Sequence, residues 1–142
     1  MFEEGGENMR KELAQIRDRW LLATAGTVFF AAVYECFSHQ VYSRAMILAF
    51  LYPLLGGLIP ATLLMLMKAE LQPGEWARSF WGAGIAALTL GSLFQGVLEI
   101  YGTTSRLSGV YPVVGWTLLA LGLLSWIVDL RRPEKKRPSY EK

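Results

Sequence analysis

The chain has 142 residues, 53% of them hydrophobic, with one cysteine, one histidine and a formal net charge of +2. Mean hydropathy is +0.30, a membrane value rather than a soluble one, and the length allows one domain. A single cysteine excludes an internal disulfide and a multi-cysteine zinc centre.

Residues 1–19 are acidic, then basic, with no apolar core, so no cleavable signal is expected and the first apolar segment is read as a retained anchor. Within residues 7–19, Met9, Leu13 and Ile16 recur at helical spacing, with Arg10, Lys11, Glu12, Arg17 and Asp18 mostly opposite. This predicts a short amphipathic helix at the membrane surface, or a solvated helical tail, leading into the first span. A hydrocarbon core of about 30 Å needs about 20 helical residues. Four segments meet that length: about 20–37, 45–67, 80–101 and 109–128. Residues 38–44, 69–79 and 102–108 read as connections, and 129–142 as a basic tail. That tail suits anchoring against anionic lipid rather than nucleic-acid binding.

Lysine and arginine set the orientation. Twelve of the 14 lie before span one, around the middle connection or after span four; only Arg44 and Arg106 lie in the other two loops. Both termini are therefore expected in the cytoplasm of a cell, the compartment reading being a bacterial inner membrane.

The halves echo one another in order. Phe30-x-Ala32-Val33-x-Glu35 parallels Phe94-x-Gly96-Val97-x-Glu99, Ser43-Arg44 parallels Ser105-Arg106, and Tyr52-Pro53-x-x-Gly56 parallels Tyr111-Pro112-x-x-Gly115. The expected fold is an all-α integral membrane protein: a four-transmembrane-helix bundle of two tandem parallel-repeat hairpins. Residues four apart share a helix face, so Thr27, Ala31 and Glu35 form one ridge and Gly91, Gln95 and Glu99 another. These ridges predict that spans one and three face each other and bring Glu35 near Glu99.

An ionisable side chain late in a span marks function unless it simply reaches water at the boundary. Two carboxylates at low dielectric bind a cation or share a proton. Glu35 and Glu99 are thus the candidate ion, proton or substrate site, with Gln95 one turn deeper than Glu99. Glu35, His39 four residues beyond it and Cys36 beside it are the candidate metal ligands, and His39 could also pair with Glu35 as a proton carrier; a surface histidine and a packing cysteine are the plain readings. Tyr34 and Tyr101, with Tyr42 and Tyr111, suit an aromatic belt or a cage for an organic cation. Pro53, Gly56, Gly57 and Pro60 predict a bend between Tyr52 and Ala61, either a simple kink or unwound backbone lining a path. No phosphate loop, dinucleotide motif, zinc-protease motif or nucleophilic triad is present, so enzymatic chemistry is not expected and no pattern names a cofactor.

Two functions fit these features. One is a small transporter or channel component for a cation or a proton-coupled substrate. The other is a non-catalytic membrane subunit that stabilises a partner. Four spans imply a homo-oligomer or a membrane-protein partner in either case.

Overall fold

The computed structural model describes residues 2–38, 42–67 and 71–132. Helix α1 is Phe2–Phe37 and α2 is Arg44–Leu48; a π-helix, Tyr52–Leu58, leads into α3, Ile59–Leu66. Helix α4 is Glu75–Tyr101, and a 3-10 turn, Arg106–Gly109, leads into α5, Val110–Arg131. Four helical stretches are long and apolar enough to cross a membrane: Gly6–Phe37, Arg44–Leu66, Glu75–Tyr101 and Arg106–Arg131, here spans one to four. Among the described residues helices are the only regular secondary structure, and there is no strand. His39 and the basic tail beyond Arg132 lie outside them.

Helix α1 is one piece. Its 36 residues run about 54 Å at 1.5 Å per residue, well beyond a hydrocarbon core of about 30 Å. The helix expected over 7–19 runs without a break into span one, as its sequence predicts. Its apolar stripe packs inward, with Leu13 only 3% exposed.

Span three begins earlier than its hydropathy suggests, at Glu75 rather than near 80. Gly74 stands at the N-cap with extended backbone, and Glu75 in the first turn complements the helix dipole. It ends with Gly102 in the left-handed region at φ 65°, where the Thr103 N–H reaches back to the Leu98 carbonyl. This closure uses glycine's freedom to stop the helix three residues after Glu99.

Span two is broken where the prolines predict, and the break is a change of helical pitch. The Ala49 N–H bonds the Met46 carbonyl and the Tyr52 N–H the Ala49 carbonyl, both one residue tighter than an α-helix. Pro53 has no N–H to offer Ala49 across a normal turn, and Tyr52 substitutes for it. The backbone then widens, and the Ile59 N–H reaches the Leu54 carbonyl five residues back. Such π-segments are rare and cluster at functional sites.

The helices assemble around span three. It packs most extensively on span four and also on span two, whereas span one packs chiefly on span two. The facing of spans one and three inferred from their ridges is therefore replaced by an arrangement with span two against both. Gly91 packs under Tyr111 of span four, and the ridge of span one has its own solution. Thr24 and Thr27 are buried, but their hydroxyls bond the Trp20 and Ala23 carbonyls of their own helix. A hydroxyl satisfied by its own helix needs no neighbour to donate to. Trp20 crosses instead to the core of Ile85, Leu88 and Leu119.

Candidate functional site

Ser43 is the N-cap of α2. Its extended backbone (φ −99°, ψ 122°) leaves its oxygen free to accept the Met46 N–H at 3.2 Å. A hydroxyl also has one proton to give. Ser43 donates it to Glu99 Oε2 at 2.5 Å. Gln95, one turn before Glu99, donates its Nε2 to the other oxygen at 3.3 Å. Ser43 is 1% exposed, while Glu99 is exposed as a residue. The carboxylate thus lies where the buried seam between spans two and three opens at the surface.

That seam is held shut by small residues. A Cβ on Gly96 would lie 2.6 Å from the Met46 Cβ and 3.0 Å from its backbone nitrogen. Met46 and Ala49 are both fully buried. Below them Ser92 Oγ donates to the Ala45 carbonyl at 2.6 Å. That carbonyl lacks its normal partner, because the Ala49 N–H has gone to Met46.

Glu35 is in a different state. It is half-buried, and its Oε1 is buried with no hydrogen-bond partner among the described residues. No hydrogen bond joins it to Glu99. Such an orphaned carboxylate oxygen calls for a proton or a cation to satisfy it.

The remaining candidates separate from this pair. Tyr34 is tilted against Phe30 at 4.9 Å between ring centroids. Tyr101 ends span three, 73% exposed. Cys36 is a free, exposed thiol. His39 lies outside the described residues, and no three His, Cys, Asp or Glu side chains converge among the described ones.

The chain matches no protein-family model, no curated protein and no solved structure. Its chemistry is therefore read from its own residues.

Midway along span two the break makes a second feature. The Gly56 carbonyl would receive an N–H from residue 60 in an α-helix, and residue 60 is proline. Trp81 of span three fills the gap, its Nε1 donating to Gly56 O at 2.7 Å. Gly56 and Trp81 both border two cavities, one of about 350 Å³ towards Arg78 and one of about 870 Å³ towards Arg44 and Gln95. The Trp81–Gly56 bond thus lies on the border of both. Pro53, Gly56, Gly57 and Pro60 thus act through backbone carbonyls and close packing, not through side-chain chemistry.

Sequence reasoning missed Ser43, Ser92 and Trp81. The capping role of Ser43 was readable from a serine preceding a helix. Its bond to Glu99, 56 residues away, had no local signal.

Proposed function

We propose that this chain is a membrane transport component in which Glu99 takes up a cation or a proton at the Ser43 end of the bundle. The observation that carries this reading is the 2.5 Å bond from Ser43 to Glu99. Ser43 spends its lone pair on the α2 cap and its proton on the carboxylate. A cation or proton arriving at Oε2 competes for that same oxygen and loosens the head of a span already weakened between Ala49 and Leu58. Gln95 steadies the other oxygen, and Glu35, with an acceptor unmatched among the described residues, is the second carboxylate of the path. The Trp81–Gly56 bond, which borders both cavities, is the next element along span two. Both termini are cytoplasmic on the charge distribution, which places Glu35 and Glu99 at the outer side. Four spans per chain favour a homo-oligomer in the bilayer.

Flux of a cation panel, with and without a pH gradient, into vesicles holding the purified protein tests this. Glu99→Gln is expected to abolish flux and Ser43→Ala to shift its ion dependence; Glu35→Gln impairs it, non-additively with Glu99→Gln if the two act as a unit. Single cysteines at Gln40 and Thr104 should label only from the outer side.

The missing hydrogen bond between Glu35 and Glu99 favours a second reading, a non-catalytic membrane subunit that stabilises a partner. Wild-type vesicles silent to every cation, together with a stoichiometric second chain co-purifying in mild detergent, would decide for it.

A further inference from the structure

We propose that the smaller cavity binds a small hydrophobic organic anion: a planar apolar body carrying one carboxylate or sulfonate. The cavity holds about 350 Å³, within the range of small-molecule sites, about 300–1,000 Å³.

Its walls are preformed. Three of the chain's five tryptophans, Trp20, Trp81 and Trp126, border it. Two of these indoles are pinned to backbone carbonyls, Trp81 on Gly56 at 2.7 Å and Trp126 on Leu71 at 3.1 Å. Trp20 is seated against Gly57, where a Cβ would lie 2.3 Å from its ring. Rings already held in place lose little freedom when a ligand enters. Indole faces favour an offset-stacked planar partner.

The charge of the ligand follows from Arg78. It is the one ionisable side chain among the described residues lining the cavity, and it is half-buried. No carboxylate among the described residues pairs with it: the ion pairs among them are Lys11–Glu7 and Arg17–Asp18. Asp129, which sits over Gly74, makes no ion pair with it. A guanidinium facing an apolar chamber disfavours a cation and gains nothing from a neutral guest. It offers a carboxylate or sulfonate a fork of parallel N–H donors.

Access is also defined. Arg78 is the fourth residue of a 27-residue helix that runs about 40 Å at 1.5 Å per residue, longer than the hydrocarbon core of about 30 Å. The cation therefore sits near the membrane boundary, and the Trp126–Leu71 bond sets one wall of the chamber at the same end of the bundle. This site does not depend on the Glu99 reading: neither Ser43, Gln95 nor Glu99 lines it, and it involves no carboxylate of the described residues.

The test is equilibrium dialysis of 1-naphthoate against the full chain in phosphatidylcholine nanodiscs, with empty nanodiscs as the baseline. Saturable binding of one naphthoate per chain is expected. Arg78→Gln should weaken it by about tenfold or more, and Arg78→Lys by less, because lysine keeps the charge without the fork. The methyl ester should bind the wild type more weakly than the acid and be indifferent to Arg78→Gln. Leu123→Trp, at a lining position 45% exposed, should fill the chamber and abolish binding with helicity and melting unchanged. Binding no greater than in empty nanodiscs, equal affinity of acid and ester for the wild type, or an Arg78→Gln variant as tight as wild type would each overturn the proposal. Octanoate binding as tightly as naphthoate would overturn the planar requirement.

Discussion

Span three is gripped by two neighbours in different ways. Towards span four the contact is made by absent side chains. A Cβ on Gly84 would lie 2.9 Å from the Gly115 carbonyl oxygen, and one on Gly122 would lie 3.0 Å from the Trp81 backbone nitrogen. Towards span two a close approach at Gly96 and Met46 is joined by a polar grip that span four lacks: Ser43 to Glu99, Ser92 to Ala45 and Trp81 to Gly56. The difference follows from the backbones. Span four is a regular helix whose carbonyls are satisfied internally, so only close approach remains to be gained. Span two changes pitch at Ala49 and again at Tyr52, and two of the carbonyls this leaves open receive a side chain from span three. In hydrocarbon such groups have no water to turn to. The same Tyr-Pro-x-x-Gly sequence opens both regions. Pro112 is the third residue of α5, where its missing N–H has no intrahelical acceptor to lose, whereas Pro53 lies nine residues beyond Arg44, at the start of span two. A proline's effect is set by its distance from the helix start.

The apolar grip should be the more fragile to added volume. Gly84→Leu places a side chain against backbone that has no way to yield except by separating the helices, and a loss of about 3 kcal/mol is expected at the upper end of overpacking. Denaturation in mixed detergent micelles reads it; a loss below about 1 kcal/mol would mean that spans three and four reseat freely. Next comes the polar grip. Trp81→Phe keeps the ring and removes the N–H, leaving the Gly56 carbonyl open. Polar bonds between spans average about 0.6 kcal/mol and reach about 1.7; the upper value is expected because no backbone donor replaces the indole. The same titration would show Ser92→Ala, which leaves the Ala45 carbonyl open, at nearer the average. The smallest effect is expected for Pro112→Ala, within about 0.5 kcal/mol, since a first-turn proline is already compatible with the helix. Unfolding of Pro112→Ala displaced as far as that of Trp81→Phe would remove the distinction between the two prolines.

Much of this architecture is local and was legible along the chain. Hydropathy placed four long apolar segments, because a span must be apolar over its own length whatever its neighbours are. Pro53 and Pro60 located the break in span two, because a missing N–H is a property of the residue itself. Glu99 and Gln95, one helical turn apart, were legible as a polar pair for the same reason. Tertiary structure alone decided which helix each face meets. Small residues occur on several faces of spans one and three, so the ridges through Glu35 and Glu99 matched each other on paper while the fold set span two between span one and the seam at Glu99. It also decided that Ser43 holds Glu99, that Trp81 takes the carbonyl freed by Pro60, and that Glu35 has an oxygen with no partner among the described residues. A hydrogen bond across 56 residues depends on how closely two backbones approach, and Gly96 against Met46 sets that distance only once both helices are in place.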